Sequence, residues 1–124
     1  MTQLNQIYKC AICGNVVEVL HTGAGELVCC GQPMTLLAAK KNDDGQEKHV
    51  PIIIKNENSV TVKIGATPHP MIKEHYIEWI EIISENGIYR KLLKPGDTPQ
   101  AIFGIDATNI IARCYCNVHD LWST

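Results

Sequence analysis

Four cysteines fall within residues 10–30, as Cys10-Ala11-Ile12-Cys13 and the adjacent pair Cys29-Cys30. The stretch that carries them ends near Leu37; Gly14, Gly23, Gly25 and Gly31 break it into tight turns with brief apolar runs between. A unit of roughly 40 residues cannot bury enough surface to fold alone and needs a metal or disulfide to hold it. A C-x-x-C loop turns two thiolates toward one cation, and a second pair closes a tetrahedral S4 site for iron or zinc. Neighbouring Cα atoms are only ~3.8 Å apart, so Cys29 and Cys30 are expected to approach the metal at a distorted angle. Two disulfides are the alternative. The opening MTQLNQIYKC lacks the charged-then-apolar pattern of a secretory signal. That favours a cytoplasmic protein, in which thiols stay reduced. Spacing leaves iron and zinc equally open.

After the polar loop KKNDDGQEK (residues 40–48) the texture changes. Short β-branched runs recur with turn signals between them: VPIII, SVTVKIG, YIEWIEII, GIYRKLL, PQAIFGI and NIIARCYC. Val60, Val62 and Ile64 alternate with Thr61 and Lys63, the period of a half-buried strand. Asn86-Gly87 predicts a hairpin, because both residues tolerate positive φ, and Pro95-Gly96-Asp97 predicts another turn. With TLLAA (residues 35–39) as the first, about seven strands fit the second part, and no helix is convincing. The expectation is an all-β chain: a small metal-stapled domain over residues 1–37, then an antiparallel β-sandwich over residues 38–124. The net charge of −2, with scattered basic residues, argues against a nucleic-acid surface. No apolar run approaches the ~20 residues that span a bilayer.

The histidines form the second constellation. His49, His69, His75 and His119 lie in loop-like or strand-edge contexts, Cys116-x-x-His119 is a local chelating pair, and Pro68 and Pro70 stiffen the loop of His69. His21 has no such context. Four imidazoles and one thiolate would make five ligands. Zinc is usually content with four, whereas iron accepts six and would keep a position open.

These residues match a known pattern. The chain resembles the desulfoferrodoxins, the two-iron class of superoxide reductases, along essentially its whole length, in YKCAICGNVVEVLHTGAGELVCCGQPM, EKHVP, HPM with HYIEWI, and CNVHDLW. The resemblance implies a desulforedoxin-like first domain with an Fe(Cys)4 centre on Cys10, Cys13, Cys29 and Cys30. It implies an immunoglobulin-like seven-stranded sandwich with an Fe(His)4Cys centre, His49, His69, His75 and His119 equatorial and Cys116 axial. The implied reaction is one-electron reduction of superoxide to hydrogen peroxide without release of dioxygen. A rubredoxin-type electron donor and a homodimer are implied as well. Lys48 would attract the anion and help deliver protons, and Glu47 would become a carboxylate ligand of the ferric ion. The axial thiolate would push electron density toward the open position, as in thiolate-ligated haem. Two residues depart from the family pattern: Asp120 stands where glycine commonly follows the last histidine, and Cys114 is an additional thiol.

Rival readings use fewer of these residues. A pure electron-transfer protein needs only the four cysteines, and a zinc-stapled binding module needs no redox change. A metal-dependent hydrolase would pair a carboxylate base with three ligands, where this chain offers five.

Overall fold

The computed structural model describes residues 1–42 and 48–124. Two compact units divide at residue 38: Met1–Ala38 and Ala39–Thr124.

The first unit has very little core. Strands β1 (Ile7–Lys9), β2 (Val16–Glu18) and β5 (Thr35–Leu36) form one sheet in the order β2-β1-β5; β3 (Val28–Cys29) and β4 (Gln32–Pro33) form a minimal hairpin. Among its described apolar residues only Ile7, Cys10 and Val19 are buried, too few for a self-sufficient fold. The turn between β3 and β4 is Cys30-Gly31, with φ +52° and +77°. Positive φ at both central residues matches the right-handed twist of a tight hairpin. Cys29 therefore ends a strand while Cys30 occupies a left-handed turn. That explains how adjacent cysteines diverge enough to share a site.

Among the described residues the second unit is a sandwich of seven antiparallel strands. They are β6 (Pro51–Lys55), β7 (Val60–Ile64), β8 (Ile77–Ser84), β9 (Gly87–Leu92), β10 (Gln100–Phe103), β11 (Ile111–Cys116) and β12 (Asp120–Ser123). One sheet runs β10-β7-β6, the other β12-β11-β8-β9. Val60, Val62 and Ile64 from the first sheet meet Ile80, Ile82, Ala112 and Cys114 from the second. The period-two reading of β7 therefore holds.

Two expectations are corrected. Residues 35–39 do not open the sandwich: Thr35 and Leu36 pair with Lys9 and Tyr8 in the first unit. The seventh strand is β12, a four-residue segment after the turn at His119, too short to display a period. The predicted hairpin exists, but Ser84 pairs with Gly87, so Glu85 and Asn86 occupy the turn. The Ser84 hydroxyl accepts the Asn86 N–H (3.2 Å) and donates to the Gly87 carbonyl (3.1 Å), closing the turn one residue early.

Candidate metal centres

The four cysteines of the first unit come together. Cys13 Sγ lies 3.6 Å from Cys29 Sγ, and Cys29 Sγ lies 3.9 Å from Cys30 Sγ. Sulfurs about 2.3 Å from a shared tetrahedral metal would be about 3.8 Å apart. None of the six cysteines is joined in a disulfide, so the disulfide alternative does not apply. Gly14, at φ +82°, closes the knuckle by donating to the Cys10 carbonyl (3.0 Å), and the Cys13 N–H points at Cys10 Sγ (3.4 Å). Backbone N–H groups of Cys13 and then Ile12 draw the Cys10 thiol down to about 6. The sulfurs of Cys13, Cys29 and Cys10 push Cys30 up to about 12. One thiolate is stabilised by the backbone, and the crowding of the rest calls for a cation.

In the second unit the two sheets deliver ligands from four separate segments. Ligand atoms of His49, His75, Cys116 and His119 all lie within 4.8 Å of one another. The His69 ring joins them, with its centroid 4.6 Å from that of His49 and 4.7 Å from that of His75. His69 Nδ1 lies 2.7 Å from the Pro70 carbonyl; since a carbonyl only accepts, Nδ1 carries the proton. That leaves Nε2 as a lone pair, buried and without a partner among the described residues, and His75 Nε2 is likewise buried without a hydrogen-bond partner there. Buried polar atoms rarely stay unsatisfied. His49 Nε2 and His119 Nδ1 are 3.1 Å apart. Two nitrogens at right angles around a metal, with bonds of about 2.1 Å, would be about 3.0 Å apart. The donor set fits an iron of the Fe(His)4Cys type.

Local structure explains each placement. A bulge in β8 sets Cys116 opposite Ile77 while Tyr115 faces Trp79, re-aiming the end of β11. The His119 N–H then donates to Cys116 Sγ (3.4 Å). Asp120, with φ +64°, sits in the left-handed region where glycine is free of strain and aspartate tolerated; its carboxylate accepts from the Tyr115 hydroxyl (3.4 Å). The additional thiol is also explained, since Cys114 Sγ donates to the His49 carbonyl (3.3 Å) from inside the core.

Sequence reasoning missed Asn117. Its Oδ1 accepts from the Tyr76 N–H (2.9 Å) and its Nδ2 donates to the Glu74 carbonyl (3.1 Å), clamping the chain on both sides of His75. Asparagine between two ligands was the available signal. Lys48 is half-buried, and its charge acts on the His75 ring. Glu47 lies outside the described residues. His21 is exposed in the first unit and is not a member of its four-cysteine cluster.

Burial, and then the charges of neighbouring groups, favours the neutral form of His69 and His75. His69 falls to about 4, chiefly through burial, and His75 is lowered for the same first reason. Burial raises the Cys116 thiol, only partly offset by the N–H groups of His119 and Val118. A bound cation would supply the missing compensation. For the metal-free protein the sign is definite. A histidine whose folded value is near 4 and unfolded value 6.5 contributes stability that is complete above 6.5 and lost as pH falls toward 4. The melting temperature of chelator-treated protein should decline across that window, and His69→Gln should flatten the decline. A melting temperature constant from pH 7 to 4 would contradict the buried neutral imidazole.

Comparisons with known proteins agree with both sites. A family described as "Desulfoferrodoxin, N-terminal domain" matches residues 2–37, and "Desulfoferrodoxin" matches residues 41–124. A desulfoferrodoxin homolog of Archaeoglobus fulgidus is 54% identical over 124 residues, 100% of this chain and 99% of the relative. The desulfoferrodoxin of Nitratidesulfovibrio vulgaris is 52% identical over 117 residues, 94% of this chain and 93% of the relative. The crystal structure of the superoxide reductase from Treponema pallidum superposes with a TM-score of 0.81 at 26% identity, covering 98% of both chains. Sequence, fold and two metal-binding clusters converge: the chain belongs to the desulfoferrodoxin family.

Proposed function

We propose that the protein is a superoxide reductase, joining one superoxide, one electron and two protons into one hydrogen peroxide and releasing no dioxygen. The observation that carries this reading is the pair of buried, partnerless nitrogens, His69 Nε2 and His75 Nε2, gathered with His49, His119 and Cys116. In this reading Cys10, Cys13, Cys29 and Cys30 hold one iron, and His49, His69, His75, His119 and Cys116 hold the other. Bound iron supplies the ferrous–ferric couple. The chain does the rest. Four neutral imidazoles leave a net positive site that favours an anion, and the buried Cys116 side chain contributes the only protein negative charge among the five ligands. Lys48, adjoining His49, draws superoxide in and passes protons, and Glu47 is assigned the role of exchangeable carboxylate. A rubredoxin-type protein as donor, a homodimeric assembly and a cytoplasmic location complete the reading; six cysteines outside any disulfide suit a reducing compartment.

The stoichiometry tests the reaction. Reduced, iron-loaded protein mixed with superoxide should yield one peroxide per superoxide and no dioxygen; one dioxygen for every peroxide would identify dismutation instead. A colourless zinc protein, inert toward superoxide, would support the binding-module reading. Lys48 tests the approach of the anion. A partly screened charge a few ångströms from the site is worth about 1–2 kcal/mol, so Lys48→Ile should react with superoxide about five- to thirtyfold more slowly. It should also depend less on ionic strength, and Lys48→Arg should recover most of the rate. Equal rates for all three would remove Lys48 from the capture step.

A further inference from the structure

We propose that Trp122, backed by Lys40, is a positioning residue that locks the ligand segments of His49 and His119 into one frame. The two histidines are 70 positions apart in sequence and come from different loops. Trp122 touches both. Its indole lies flat against the His49 imidazole, with centroids 4.5 Å apart and planes 16° from parallel. Its Nε1 donates to the His119 carbonyl at 3.0 Å. Lys40 Nζ donates to the same carbonyl at 3.0 Å and stands 5.2 Å from the centroid of the indole ring.

The lysine is itself anchored. Its backbone N–H donates to the Leu121 carbonyl and its carbonyl accepts from Ser123, both at 2.9 Å, so residue 40 forms an isolated parallel bridge beside Trp122 of β12. His119 is exposed, yet its peptide is held at both ends, the N–H on Cys116 Sγ and the carbonyl on Trp122 and Lys40.

An imidazole has a broad torsional preference about its second side-chain angle, so something outside the ligand must set its plane. Outer partners that orient metal-bound histidines usually do this through the second ring nitrogen. Here an aromatic face sets the His49 plane and a shared carbonyl sets the His119 backbone. Loss of a bound metal would begin with one imidazole swinging away; a His49 ring held by Trp122 and a His119 backbone held by Trp122 and Lys40 would return before a second ligand let go. Trp122 and Lys40 touch neither substrate nor metal in this scheme and act through the two histidines.

This inference rests on the histidine–thiolate cluster being an iron site, and the experiment separates the two. Full-length iron-loaded protein is followed by its ferric–thiolate absorption band and by the rate at which iron passes to a strong chelator. Lys40→Met should release iron from the histidine site about tenfold faster and shift the band, while the metal-free melting temperature stays unchanged. Lys40→Arg should restore both. Trp122→Phe keeps the ring face and drops the donor, so it should resemble Lys40→Met. Trp122→Leu, which drops both, should release iron faster still. Wild-type release and band position in Lys40→Met and Trp122→Phe would overturn the positioning role, even if Trp122→Leu failed to fold. Absence of a thiolate band from the histidine site in the unaltered iron-loaded protein, once the band of the four-cysteine site is subtracted, would overturn the iron-site reading, and this inference with it.

Discussion

Gly65→Ala is expected to remove iron from the histidine–thiolate site while leaving the four-cysteine site loaded. Gly65 follows β7 at φ +83°, and a Cβ there would lie 2.5 Å from the Lys48 carbonyl oxygen and 2.5 Å from that of Thr67. Both obstacles are backbone, so neither can turn aside as a side-chain tip would. The Gly65 N–H also donates to the Val50 carbonyl at 3.2 Å, which ties the same point to the segment carrying Lys48 and His49. Thr67 leads directly to the loop of His69, whose N–H reaches the Ile64 carbonyl at 3.4 Å. A methyl group at residue 65 therefore pushes two ligand loops apart. Left-handed backbone costs a non-glycine residue about 1–2 kcal/mol, and overpacking adds about 1–3 kcal/mol. A loss near 2–5 kcal/mol in the second unit should appear as a lower melting temperature. Metal analysis and the visible spectrum should show fewer irons at the histidines and an unchanged tetrathiolate signal. A Gly65→Ala protein with full iron and unaltered stability would mean that the Lys48 segment yields freely.

Gly65 also marks where sequence reading reaches its limit. Half of its demand arises from a carbonyl 17 positions earlier, at Lys48, which no local pattern announces. What the chain displayed openly was chemistry of short range. C-x-x-C and C-x-x-H bring ligands together within one turn, and the alternation through Val60, Val62 and Ile64 is the pleat of one strand. The architecture followed from such signals, although one strand was misplaced: β12 is four residues long, and its two apolar residues, Leu121 and Trp122, read as the tail of a metal loop. Long-range partners stayed hidden. Asn117 bridges to residues 41 and 43 positions away, and Lys40 reaches a carbonyl 79 positions away. The gathering of His49, His69 and His75 around Cys116 likewise depends on the sandwich closing, so the family resemblance supplied what spacing could not.

Glu81→Ala is expected to destabilise the second unit by about 3–5 kcal/mol, the cost of leaving the buried Arg113 guanidinium without its carboxylate. Glu81 is fully buried at the middle of β8. Its Oε2 accepts from Arg90 Nε at 3.1 Å and its Oε1 from Arg113 Nε at 2.5 Å, and each guanidinium also forms an ion pair with it. In the sheet register Glu81 stands opposite Arg90 on β9 and opposite Arg113 on β11, so the three charges form one row across three strands. The Arg90 guanidinium lies 5.1 Å from the Trp79 ring centroid, and Trp79 stacks on Tyr115. A slip of one residue in β8 would break this row and turn Ile80 and Ile82 out of the core, so the charges and the core demand the same register. That register has a functional consequence, because Arg113 lies three residues before Cys116 on β11. Glu81→Ala should lower the melting temperature by more than about 10 °C and broaden the ferric–thiolate band as β11 loses its fixed register. Replacing Glu81, Arg90 and Arg113 together by apolar residues of similar volume should recover most of the stability, since no unpaired charge then remains. If the single variant melts within about 1 kcal/mol of the unaltered protein, water reaches Arg113 as it already reaches Arg90, and the row does not govern the sheet. If the triple variant is stable but its band stays broad, stability and register come apart, and the charges are kept for the position of Cys116.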